Sequence, residues 1–158
     1  MTGQIDAVDA RLLALLDEEP RLSVMELARR AEVARGTAQA RLDRLLARGV
    51  VRSFGPEVDP PRLGYPVLAF TTLEIVQAGL EELVAHLASI PEVLEVHTIT
   101  GPGDLLCRIV ARSNDDLQAV IGRVLSGPSI SRASTHIALS TPVLHRTAPL
   151  VASAAVGA

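Results

Sequence analysis

Two stretches of this chain run through the same succession of elements, and that repetition limits the fold more than any other feature. Val67–Ile75 is apolar and β-prone; Leu80, Leu83, Val84 and Leu87 then recur at helical spacing, and SIPEVLEVHTI reads as a strand after a turn. The order then returns. Leu105–Ala111 reads as a strand, and Asn114 opens a helix with Leu117, Val120, Ile121, Val124 and Leu125 on its inner side. SGPSISRASTHIAL closes the series with its small residue, Pro, apolar residues and His placed as in SIPEVLEVHTI. Two βαβ units joined by a short loop make a βαββαβ, ferredoxin-like α+β sandwich. The connections are long enough for right-handed crossovers.

The region before the repeat has a different grammar. Residues 23–51, SVMELARRAEVARGTAQARLDRLLARGVV, read as a helix, a tight turn and a second, arginine-studded helix. Ser23 and Glu26 have the S-x-x-E spacing of a capping box, and Leu27, Ala28 and Ala31 form the apolar side that follows. The second helix runs to about Arg48, with Gly49 where a left-handed terminal residue is wanted. At ~100° per residue, Thr37, Arg41, Arg44 and Arg48 fall within roughly 60° of one another, beside the apolar stripe of Ala38, Leu42 and Leu45. A helix with one packed and one cationic face is the form that docks in the major groove of duplex DNA. A solvated helix face would look similar taken alone. Charge distribution separates the two readings. Residues 21–52 hold eight arginines against three acids, a local +5 on a chain of net charge −3, so the remainder sums to −8. Such a patch on an acidic chain points to a polyanion.

An earlier helix starts after Asp6 with Val8, Leu12, Leu13, Leu15 and Leu16 and stops at Pro20. It completes a three-helix unit, and residues 50–54 are expected to add a short strand or wing. GPEVDPPRLGYP, dense in proline and glycine, then reads as a linker. The expected organisation is a winged helix-turn-helix domain over 1–54, a linker over 55–66, the ferredoxin-like domain over 67–140 and a tail over 141–158. The tail shows no clear period and is expected to be partly ordered, or exchanged with a partner.

Composition excludes other classes. Aromatic residues are only 2% of the chain, too few for a base-stacking surface. A lone Cys107 leaves no intrachain disulfide, and no Cys/His spacing resembles a metal site. His97 and His136 occupy matching places in the repeats, which this fold puts at opposite sheet edges. His86 and His145 are expected to face solvent, and Cys107 to lie in the core. No Ser/His/Asp set, carboxylate pair or phosphate loop is present, so neither cofactor nor metal is implied. The N-terminus lacks a signal segment and no run approaches the ~20 apolar residues of a membrane span, so a cytoplasmic protein is expected.

A three-helix unit, the DPPRLGY linker, a βαββαβ domain, IPEVLEVHTITG and a final STHIAL together resemble the leucine-responsive/AsnC (feast/famine) family of transcription regulators, over roughly residues 5–139. The resemblance implies an N-terminal DNA-binding domain and a C-terminal domain that pairs sheets into a homodimer, often assembling further into a tetramer or octamer. It also implies an amino acid or related small molecule as effector, bound at interfaces between dimers.

Carried over residue by residue, the resemblance puts Arg35, Thr37, Gln39, Arg41 and Arg44 on the recognition helix, with Arg52 near the wing against phosphate. Arg41 and Arg44 suit guanine edges or phosphates, and Gln39 suits adenine. Ala34, Ala40 and Asp43 stand where relatives carry Ser or basic residues. The family's T-G-x-x-D effector turn corresponds to Thr100, Gly101, Pro102, Gly103 and Asp104, with Thr135 on the last strand adding a hydroxyl. Backbone N–H groups there suit a carboxylate, and Asp104 an ammonium. The same five residues also read as a plain hairpin turn. The overall expectation is a sequence-specific, effector-responsive DNA-binding regulator. The alternatives are a weakly specific architectural DNA-binding sensor, or an enzyme resembling the sirohaem decarboxylases, whose plan is similar.

Overall fold

The structure, a computed structural model, describes residues 5–76 and 79–156. The ends of the expected first domain and tail, residues 1–4 and 157–158, lie outside the described residues. The chain divides into a helical unit, Met1–Pro56 with Val143–Ala158, and a sheet unit, Glu57–Pro142.

The helical unit contains α1 (Ala7–Glu18), α2 (Val24–Arg30), α3 (Arg35–Ala47) and α6 (Ala148–Val156). Asp6 starts α1 through a reciprocal capping box: its carboxylate accepts the N–H groups of Val8 and Asp9 at 2.9 Å, and its own N–H donates to Asp9 at 3.3 Å. The box expected at α2 is only half made. Ser23 Oγ accepts the Glu26 N–H at 3.2 Å, but the Glu26 carboxylate turns to Arg29 at 2.6 Å and Arg30 at 2.8 Å. These charge-assisted bonds outcompete a neutral backbone N–H.

Glu32, at φ +57°, turns the chain between α2 and α3. Past α3, Gly49 at φ +69° allows its own N–H and that of Val50 to bond back to the Leu46 and Leu45 carbonyls, a Schellman motif. No strand follows over residues 50–54, where a wing was expected. Val50 and Val51 spend their N–H groups on Leu45, so the segment is used to close the helix. The core holds Leu12, Leu27, Ala28, Ala31, Ala38 and Leu42, and α6 packs alongside α1. The helix α6 is absent from the sequence reading because its Ala-rich run has no period.

In the sheet unit, β1 (Val67–Ile75), β2 (Val93–Thr98), β3 (Leu105–Ala111) and β4 (Ile130–Ile137) form one antiparallel sheet in the order β2-β3-β1-β4, with helices α4 (Leu80–Ala88) and α5 (Asn114–Leu125) in the crossovers. This is the expected ferredoxin-like order, and it puts His97 and His136 on opposite edge strands. A short 3-10 turn, Pro60–Leu63, interrupts the expected linker. Leu83, Leu87, Leu117, Val120 and Val124 pack against Ala69, Leu73, Leu105, Cys107 and Ile109. Thr71, fully buried on the same face, shares a 3.0 Å hydroxyl bond with Thr135 across the β1–β4 ladder. By alternation the opposite face carries Phe70, Thr72, Glu74, Leu106, Arg108, Ser134 and His136.

Two local expectations change. Ser113, not Asn114, caps α5, accepting the Asp116 N–H at 3.1 Å. His86 is half-buried, with Nε2 2.8 Å from the Arg123 carbonyl, because Gly127 leaves its ring room at the end of α5.

Candidate functional site

Helix α3 buries Ala38, Leu42 and Leu45 and turns Arg35, Thr37, Gln39 and Arg44 to solvent. A groove of about 360 Å³ runs along it, lined by Gly36, Thr37, Ala40, Arg41 and Arg44. Arg35 has no ion-pair partner among the described residues. Gln39 spends an amide proton on Asp43 at 2.8 Å. Arg52 is exposed on the segment after α3.

Arg41 differs from its neighbours. Its guanidinium turns to the start of α1, where Nη1 lies 2.5 Å from Asp6 Oδ2 and 2.8 Å from Asp9 Oδ1. The side chain is 23% exposed, against 51% for Arg44, whose Nη2 lies 3.7 Å from the same Asp9 oxygen. Hydrogen bonds to Asp6 and then Asp9 hold Arg41 still more firmly protonated than an ordinary arginine, and the same bond to Arg41 lowers the Asp6 pKa. Sequence reasoning saw the stripe but not this partner, which lies 32 residues away at Asp9.

The loop over residues 100–104 is strapped to the end of β1. Gly101 and Gly103 adopt φ +113° and +91°. The Asp104 N–H donates to the Leu73 carbonyl at 2.8 Å, and its Oδ2 accepts the Ile75 N–H at 2.8 Å. A Cβ on Gly103 would press on Thr72 and lie 3.1 Å from the Leu73 carbonyl oxygen, so a glycine is needed for this approach.

A shallow groove of about 220 Å³ lies beside the loop, lined by Thr72, Glu74, Pro102, Arg132, Ala133, Ser134 and His136. Of the loop only Pro102 reaches it. Thr100, Gly101, Gly103 and Asp104 do not line it, and the Thr135 hydroxyl shares a hydrogen bond with that of Thr71 on the helix-covered face. The five expected effector residues therefore line neither this groove nor the one along α3. The groove's own residues went unnoticed because their common face depends on the β1–β4 register.

On β2 and β3, Glu95 accepts from His97 at 3.1 Å and from Arg108 at 3.0 Å, and these bonds, His97's first, lower its pKa. Burial pushes the Cys107 thiol up to about 11, which leaves it inert. Among the described residues no His/Cys/Asp/Glu group could hold a metal, and no helix is long and apolar enough to cross a membrane.

Comparison with known proteins agrees with this arrangement. Residues 68–148 match the Lrp/AsnC ligand binding domain, and residues 3–58 match the MarR family. An uncharacterized HTH-type transcriptional regulator of Pyrococcus abyssi is 34% identical over 118 residues, 75% of each chain. The proline dehydrogenase transcriptional activator of Rhizobium radiobacter is 30% identical over 144 residues, 89% of this chain and 92% of its own. Among solved structures, Escherichia coli AsnC superposes with a TM-score of 0.84 at 27% identity, over 93% of this chain and all of that one. A Neisseria meningitidis transcriptional regulator solved with L-Met gives 0.81 at 26% identity, over 91% and 95%. A helix-turn-helix unit with a basic outer face, followed by this sheet unit, makes the chain a member of the Lrp/AsnC family of DNA-binding transcriptional regulators.

Proposed function

We propose that this chain is a cytoplasmic, non-enzymatic regulator that binds specific duplex DNA sequences as a homodimer and responds to an amino acid or related small molecule. The observation that carries the reading is the exposed face of α3, where Arg35, Thr37, Gln39 and Arg44 stand over a packed stripe. Two copies related by a two-fold axis contact quasi-palindromic half-sites about one helical turn apart, or a multiple of it. Arg52 contacts phosphate beside them. The helix-free sheet face pairs the two copies, and dimers assemble further into tetramers or octamers.

Between dimers, the loop of Thr100, Gly101, Gly103 and Asp104, with Thr135, forms one side of the effector site. Its dispersal within a single chain fits a pocket completed by a neighbouring copy. The L-Met carried by the Neisseria relative supports an amino acid as the ligand. Control then follows from a difference in the ligand's affinity for two assembly states.

The test is fluorescence anisotropy against the gene's own upstream DNA and a scrambled duplex, at two salt concentrations, with and without a pool of amino acids. Preference for the upstream DNA, with a steep loss of affinity in salt, is expected. Equal binding to both duplexes would replace this reading with the architectural one, and no binding at low salt would remove DNA from it. A pool that shifts neither DNA affinity nor assembly would remove the effector.

A further inference from the structure

We propose that Arg41 is a positioning residue and not a DNA contact: Asp6 and Asp9 hold it, and so set the angle at which α3 presents Arg35, Thr37 and Arg44. This rests on the reading that α3 meets DNA. Asp9 is 1% exposed, so its carboxylate has to be paired within the protein. Its Oδ1 takes Arg41 at 2.8 Å, and its Oδ2 takes the Asp6 N–H at 3.3 Å. Asp6 in turn gives Oδ1 to the N–H groups of Val8 and Asp9, and Oδ2 to Arg41. Every carboxylate oxygen of the pair has a donor, and the donor from another helix is Arg41.

Two consequences follow for DNA. A phosphate that drew Arg41 away would leave the Asp9 carboxylate buried without that partner. Asp6 and Asp9 also offset the charge of Arg41, with Arg44 3.7 Å from the same Asp9 oxygen, so Arg41 adds little to sequence-independent attraction. Arg41 therefore fixes α3 against α1 and keeps one cation of the stripe out of non-specific binding. Discrimination between sequences gains where raw affinity does not.

The experiment measures the dependence of DNA affinity on salt in full-length protein, using the upstream duplex. Exchanging the pair for an apolar one, Asp9→Leu with Arg41→Met, removes both charges together. The expected result is specific affinity within about threefold of wild type and an unchanged slope of log affinity against log salt. Arg41→Met alone loses specific affinity at the same unchanged slope. A folded double variant whose slope drops by about two, one contact per copy at ~0.9 each, would overturn the proposal, because Arg41 would then be neutralising phosphate. Should that variant not fold, Asp9→Asn with Arg41→Gln removes the same two charges with polar side chains and is read in the same way. Arg44→Ala separates the two levels of the argument. It is expected to lower the slope by about two, and if it does not, the docking of α3 fails and not the role of Arg41.

Discussion

The helical unit and the sheet unit close their cores by different means. In the helical cluster three of six buried residues are alanine, Ala28, Ala31 and Ala38, and helix meets helix partly through the ion pair of Arg41 with Asp6 and Asp9. In the sheet cluster only Ala69 and Ala111 are alanines among twelve, and leucine, isoleucine and valine fill most of the rest. Small side chains let helices approach closely but remove little apolar area from water. Directional polar contacts then carry more of the task of choosing one helix arrangement. A unit that has to keep arginines on its surface supplies acids to orient them. The sheet unit, with large apolar side chains on one face, leaves its other face uncovered by helices.

Substitutions can strain this contrast in order of size. Leu105→Ala opens a cavity in the sheet core and is expected to cost about 2–5 kcal/mol, read by chemical denaturation. With one tyrosine and no tryptophan in the chain, the emission of Tyr65 reports that loss from the sheet unit alone. Gly103→Ala puts a Cβ at φ +91° against Thr72 and the Leu73 carbonyl. It is expected to cost about 1–3 kcal/mol in the same assay. Ser23→Ala removes the cap of α2 and is expected to cost about 1 kcal/mol in the helical unit, leaving Tyr65 emission unmoved in native conditions.

Acid should give the smallest effect. Arg29 and then Arg30 lower the Glu26 pKa from 4.5 to about 2, and Arg41 lowers that of Asp6. A carboxylate depressed on folding binds more protons when unfolded, so its contribution, full above its ordinary value, is lost as pH falls toward its folded one. The helical far-UV signal is expected to weaken between about pH 4.5 and 2 before Tyr65 emission changes. Coincident transitions would mean that both units depend on their carboxylates equally.

Those differences also mark what could be read in the sequence. The strand Val67–Ile75 and the Leu83–Leu87 spacing were legible because apolar periodicity is local and was not opposed by tertiary packing. Gly49 was legible as a helix end for the same reason. The Asp6–Asp9 box escaped because two aspartates replace the S-x-x-E pattern. The expected wing needed a partner strand, which no local pattern supplies. Asp9 looked like one more acid in an acidic N-terminus, and only the packing of α1 on α3 gives it Arg41. The loop glycines were visible, whereas the groove of Thr72, Glu74, Arg132 and Ser134 depends on a register that pairs residues about sixty positions apart.

The return of residues 143–156 to the helical unit has a consequence for the order of synthesis. Helices α1 to α3 leave the ribosome first, but α6, which packs on α1, follows only after the whole sheet unit. At about 5–20 residues per second, the end of α6 follows the end of the last strand by about 1–4 seconds, so the sheet unit can close before the helical unit receives its final piece. A nascent chain would thus acquire its sensing half before its DNA-reading half is complete, and ribosome-bound intermediates would be poor competitors for operator sites.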